Sequence, residues 1–153
     1  MANAQAFCSQ AKLDIMNGLH AMGASVARAG TTKDSYKAAL FETASGSVGA
    51  ASTVYVTSGE VAGTNYSAGG VAVTTGTAPA LDGTTGHFTP SASITFSNVT
   101  LATSFDAVML FNDTSASKLA LSVHTFASQT ITAGDFTLTM PTNDGTTGLI
   151  RIA

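Results

Sequence analysis

The chain has 153 residues, a formal net charge of −3 and only 10% charged side chains, while Ala (26), Thr (24), Ser (16) and Gly (15) fill more than half of it. With 44% apolar residues, charge-driven disorder is excluded, and six scattered Lys and Arg exclude the basic footprint of a nucleic-acid binder. Apolar runs are too short to span a bilayer, no secretory leader is read in the opening Met1-Ala2-Asn3-Ala4-Gln5, and a single cysteine, Cys8, excludes an internal disulfide framework.

The first predicted element is an amphipathic helix. At the helical angle of about 100° per residue, Ala4, Cys8, Ala11, Ile15, Leu19, Met22 and Val26 fall on one stripe. Gly18 and Gly23 weaken this helix and Gly30 ends it. Its Ala4-Cys8-Ala11 end is narrow and lets another backbone approach closely, whether its own sheet, a neighbouring copy or a larger assembly. The predicted division is therefore a helix and linker over 1–30 and a β domain over 31–153, compact as one unit.

Beyond Gly30 the apolar period becomes two. Strands are predicted at 36–43, 53–58, 71–75, 92–101, 105–112, 119–126, 136–140 and 149–152, with a Gly/Ser/Ala loop at 44–52 and a turn-rich stretch at 77–85. Residues 92–101 read as clean alternation, with Ile94 and Phe96 opposite Ser93, Thr95 and Ser97; residues 105–112 are apolar on both faces, as a central strand would be. Turn signals every 8–15 residues favour an antiparallel β-sandwich or jelly roll over βαβ units. The predicted core comprises Phe41, Val56, Ile94, Phe96, Phe105, Val108, Leu110, Phe111, Leu121, Val123, Phe126, Phe136, Leu138 and Ile150. Asp-Gly-Thr-Thr-Gly occurs twice, at 82–86 and 144–148, and reads as two turns.

Catalytic patterns are missing. His20, His87 and His124 have no ligand-spaced neighbour, so no metal or cofactor site is expected. Gly23-Ala24-Ser25-Val26-Ala27 has no strand before it, as a nucleophile elbow requires. The two glutamates, Glu42 and Glu60, lie on separate segments. Asp82, Asp113 and Asp144 lack the spacing of a calcium loop, and Cys8, on the apolar stripe, reads as a small hydrophobe. Three Asn-x-Ser/Thr triplets are close to what chance gives for six Asn and 40 Ser plus Thr.

Asp34-Ser35-Tyr36-Lys37-Ala38-Ala39-Leu40-Phe41 carries a resemblance, together with Asn17-Gly18-Leu19-His20, the 57–70 segment, the 105–112 strand and the apolar end Gly148-Leu149-Ile150-Arg151-Ile152-Ala153. Across nearly its whole length the chain resembles a family of small structural proteins encoded in tailed-bacteriophage virion gene clusters. The segment Glu60-Val61-Ala62-Gly63-Thr64-Asn65-Tyr66-Ser67-Ala68-Gly69-Gly70 is the most specific part. There Gly63, Gly69 and Gly70 allow positive φ, with Tyr66 as the anchor between them. The resemblance implies a non-enzymatic virion component made in the bacterial cytoplasm. A capsid cement (decoration) protein that binds the major capsid protein and its own copies is the first expectation; a neck, tail or fibre component, or a receptor- or glycan-binding β module, is the alternative. Expected contact residues are Ala4, Cys8, Ala11, Ile15, Leu19, Gly63, Tyr66, Gly69 and Gly70, with a dimer or trimer as the assembly and neither nucleic acid nor membrane as partner.

Overall fold

The computed structural model describes residues 2–8, 11, 15, 19, 20, 22, 33–83 and 85–152. Among them the strands are β1 (Ala6–Phe7), β2 (Tyr36–Glu42), β3 (Gly63–Thr64), β4 (Val71–Val73), β5 (Ala80–Asp82), β6 (Thr85–Phe88), β7 (Ile94–Leu101), β8 (Phe105–Asn112), β9 (Ala120–Gln129), β10 (Gly134–Leu138) and β11 (Ile150–Ile152). They form a five-stranded sheet, β1-β9-β8-β2-β4, and two three-stranded sheets, β10-β7-β3 and β11-β6-β5. All pairings are antiparallel, so the chain is mainly β as expected.

The start of the chain departs from the prediction. Ala6 and Phe7, placed by periodicity in a helix, pair instead with Val123 and Ser122 of β9. β9 would otherwise end the sheet with unpaired N–H and C=O groups, and filling that edge outweighs a weak local helical preference. The chain turns just afterwards, where Ala11 N–H donates to the Cys8 carbonyl at 3.0 Å. The rest of the predicted helix, at 9, 10, 12–14, 16–18, 21 and 23–30, lies outside the described residues, and the 23–27 segment lies there with it.

β8 is buried along almost its whole length because β9 and β2 flank it and both faces of the sheet are covered. The register Ala38↔Leu110 and Leu40↔Val108 threads small and large side chains alternately through this centre. From the five-stranded sheet, Phe105 and Phe126 project towards the β10-β7-β3 sheet. There the Phe136 ring lies edge-on to Phe105, with centroids 4.8 Å apart, and 5.2 Å from Phe126. Phe96 joins at 6.2 Å from Phe136. Most of the predicted core is buried; Val56, Phe126, Phe136 and Leu138 are only half-buried and pack on its margin.

Three further details differ from the sequence reading. The alternation of β7 slips at Asn98, whose φ of 50° makes both Ser97 and Asn98 face outward before Val99 turns in again. Asp135 Oδ1 accepts from the Asn98 N–H at 2.7 Å, and the β10 register shifts opposite, as at a β-bulge. Residues 53–58 are not a full strand. Ala120 N–H donates to Thr53 at 3.0 Å and Tyr55 N–H to Lys118 at 2.8 Å, around a single bridge, Val54↔Leu119, before the chain turns away. The 77–85 stretch does turn at Asp82-Gly83, but strands β5 and β6 flank it, although Ala80, Asp82 and Gly86 have little intrinsic strand preference.

Candidate functional site

β4 pairs with β2 only from Tyr36 to Ala38, which leaves the far half of that β2 edge open. The 59–66 segment completes it. Glu42 N–H donates to Gly59 at 2.8 Å, Val61 N–H to Leu40 at 3.1 Å, and Phe41 bridges Glu60. The remaining N–H, on Leu40, donates to the Tyr66 hydroxyl at 2.9 Å. That hydroxyl in turn donates to Glu60 Oε1 at 2.8 Å, an oxygen that also accepts from Gly69 N–H at 2.8 Å. Glu60 Oε2 accepts from the Tyr55 hydroxyl. One carboxylate thus ties two tyrosines and a glycine turn to the edge of the main sheet. The rings are fixed as well: Tyr66 stacks on Phe96 with centroids 5.9 Å apart, and Tyr55 on Phe111 at 4.6 Å. Burial, with Glu60 nearby, pushes both phenol pKa values well above the ordinary 10.0.

The glycines of this segment divide in role. Gly69 and Gly70 use that freedom, with φ of 85° and 69°, but Gly63 does not have positive φ; Asn65, at 60°, does. Gly63 is required for another reason: a Cβ there would lie 2.9 Å from Leu101 Cα, so only glycine lets β3 approach β7. Tyr66 is the anchor that its position suggested. Glu60 and Tyr55 were overlooked as its partners, although an isolated glutamate in an almost uncharged segment was the available signal.

Of the other expected contact residues, Cys8 and Ala11 are wholly buried within their own chain, where Cys8 Sγ lies 3.6 Å from the Gly49 carbonyl oxygen. Their own chain encloses these two side chains, so they are not available to a partner. Burial also raises the Cys8 thiol to about 11, as suits an inert hydrophobe. Ile15 is half-buried; Ala4 and Leu19 are exposed. Gly63 is exposed, Gly69 is buried, and Gly70 is half-buried where it lies against β2. The structure thus brings together Tyr66, Gly69 and Gly70, but not the Ala4–Leu19 set with them.

The histidines stand apart. His20 is buried with its ring centroid 6.1 Å from that of Tyr36. His87 Nδ1 lies 3.1 Å from Asn143 Oδ1. His124 Nε2 lies 3.0 Å from the Oγ of the buried Ser122; burial also lowers the His124 pKa. Among the described residues no three His, Cys, Asp or Glu side chains converge as metal ligands. The two Asp-Gly-Thr-Thr-Gly turns, remote in sequence, lie side by side, with Gly145 N–H donating to Asp82 Oδ2 at 3.3 Å. Asp144 Oδ1 is occupied by the N–H groups of Thr146 and Thr147, at 2.8 and 2.6 Å, and by the Thr146 hydroxyl, which hold its carboxyl far below the ordinary range.

One buried side chain organises the other end of the main sheet. Asn112 Oδ1 accepts from Thr114 and Ser115 N–H at 3.0 and 3.1 Å, while its Nδ2 donates to Asp34 Oδ2 at 2.9 Å and to the Leu19 carbonyl at 3.2 Å. This burial removes Asn112-Asp113-Thr114 as a glycan acceptor. Among the described residues no helix is long and apolar enough to cross a membrane. Comparison with protein-family models, curated proteins and solved structures returned no match to this chain.

Proposed function

We propose that the chain is a non-enzymatic structural component of a tailed-bacteriophage virion: a cement protein that binds the major capsid protein and copies of itself. On this reading the five-stranded sheet and the β10-β7-β3 sheet are the two layers of an antiparallel β-sandwich, joined by the Phe96, Phe105, Phe126 and Phe136 cluster. The observation that carries the reading is the 60–70 segment. The residues on which the resemblance is most specific, Glu60, Tyr66, Gly69 and Gly70, act together as one rigid clasp on the main sheet. A particle component needs such rigidity, because each copy must present the same surface to many symmetric neighbours. Few charges and an outer face of β7 and β10 built from Thr95, Ser97 and Thr137 suit close, neutral packing.

Quantitative mass spectrometry of particles purified from the encoding phage tests this. Hundreds of copies per particle are expected for a cement protein. A dozen or fewer would move the chain to the neck, tail or fibre, and absence from the particle would overturn the reading.

A further inference from the structure

The β11-β6-β5 sheet has two unlike faces. The cross-strand partners Leu81↔Gly86↔Ile152 share one face, and strand alternation puts the partners Phe88 and Ile150 on it too. The other face carries the rows Asp82↔Thr85 and Ala80↔His87↔Arg151. Phe88 and Ile150 are buried at a cleft of about 520 Å³ that they line together with Leu81, Ile152, Ile15 and Met22 and with two histidines, His20 and His87. Leu81 is 77% exposed and Ile152 48%. Large hydrophobic side chains concentrated around one opening mark a contact surface.

The same place is an open sheet edge. β5 is the last strand of its sheet among the described residues. Only Gly83 and Thr84 separate the closing pair Asp82↔Thr85. In a two-residue hairpin the closing pair is hydrogen-bonded, so the next residue back, Leu81, directs its N–H and C=O away from β6, to the outside.

We propose that this edge is a self-association surface, on which β5 of a second copy pairs antiparallel about a two-fold axis at Leu81. The occupant is a second copy because the edge is complementary to itself. Each Leu81 N–H meets the other copy's Leu81 carbonyl, and the two leucine side chains adjoin on the apolar face, covering both cleft mouths. In this register the second copy's Asp82 stands opposite Ala80, at the end of the row that continues through His87 to Arg151. No two carboxylates face each other in this register. Of the expected contact residues only Ile15 lines this cleft, and the proposal stands or falls on the isolated chain, whether or not the chain resides in a virion.

Sedimentation equilibrium of the full chain, with Leu81→Lys, Leu81→Pro and, as a control in the exposed loop between β8 and β9, Ser117→Lys, tests it. The wild type is expected to be a dimer. Leu81→Lys removes a leucine from each copy and should raise the dissociation constant by about 100-fold or more. Leu81→Pro should also weaken the dimer, because it removes the outward N–H without touching the ladder to β6; Ser117→Lys should leave it unchanged. In the wild type, hydrogen exchange at the Leu81 amide should slow as protein concentration rises, a readout that survives any variant failing to fold. A monomer at all concentrations, an odd-numbered ring, a dimer indifferent to both Leu81 variants, or Leu81 exchange independent of concentration would each overturn the proposal. So would a monomeric wild type that binds anilinonaphthalene sulfonate in the cleft and loses it on Leu81→Lys, which would make the occupant a small apolar ligand.

Discussion

Tyr66 and Glu60 show how a polar cluster can hold a loop to a sheet in a chain with few charges. The Tyr66 hydroxyl accepts from Leu40 and donates to Glu60, so Tyr66→Phe leaves a strand N–H and a carboxylate oxygen each short of a partner. A loss of about 1–3 kcal/mol is expected, visible as a lower urea midpoint with unchanged slope. The same tyrosines set the alkaline limit. Their phenols keep their protons more tightly when folded, so the unfolded chain ionises first as the pH rises past the ordinary value of 10.0. Stability is fully present below that pH and falls above it; Tyr66→Phe should flatten the decline, measured as urea midpoints across the alkaline range. On the acid side the order reverses. His124 is kept neutral by burial, so the unfolded chain takes up that proton first and stability declines below the ordinary value of 6.5. Asp113, held low chiefly by Lys118, adds to the loss below 3.8. At the other end of the main sheet, Asn112→Ala strands two turn N–H groups. It should cost about 2–5 kcal/mol, read in the same unfolding experiment.

At the scale of elements, the bulge in β7 and the close approach of Gly70 to β2 make distinct demands on side chains. Phe96 faces inward between Tyr66 and Phe136, so Phe96→Ala should cost about 3–5 kcal/mol. Its neighbour Thr95, on the exposed face, should tolerate Ala to within about 1 kcal/mol. If the two substitutions had equal effects on the melting temperature, the assignment of faces would be wrong. The adjacent glycines make a second contrast. Gly69 has positive φ but open space around it, so Gly69→Ala meets only backbone strain, about 1 kcal/mol. A Cβ at Gly70 would also lie 2.8 Å from Ala39 Cα, in the backbone of β2, and Gly70→Ala should be several-fold more costly. Thermal denaturation of the pair distinguishes the two causes.

For the whole molecule, the first residues belong to the body of the fold. β1 completes the β9 edge, and Asn3 Nδ2 donates to the Glu42 carbonyl at 3.0 Å and to Asp106 Oδ1 at 2.8 Å, while its Oδ1 accepts from the Ser45 hydroxyl at 3.0 Å. Deleting residues 2–8 should therefore lower the melting temperature and expose the β9 edge to aggregation, which light scattering during heating would record. A truncation as stable as the full chain would show that β1 is dispensable. The predicted contact role of Cys8 and Ala11 gives way to this structural one because a narrow, small-residue face suits close packing on the chain's own sheet as well as on a partner.

The sequence by itself determined the class of fold, because a period of two with recurrent turn residues leaves an antiparallel arrangement as the way to bury residues 36–152. It also located the main strands wherever β-branched and aromatic residues were dense, above all β8, whose apolar faces on both sides required a central place. The tertiary structure alone decided which edges needed filling. That demand made Ala6–Phe7 a strand, drew 59–66 alongside β2 and let β5 and β6 form around residues with weak strand preference, since a backbone hydrogen bond to a waiting edge outweighs local propensity. The Glu60 cluster was legible only in part. Tyr66 stands out between glycines, but the meeting of Tyr55, Glu60, Gly69 and Leu40 depends on a chain reversal that no spacing encodes. The same holds for the cleft beside Leu81, whose residues come from both ends and the middle of the chain. Periodicity records which side of a strand is apolar; only the packing of the sheets decides whether that side is covered.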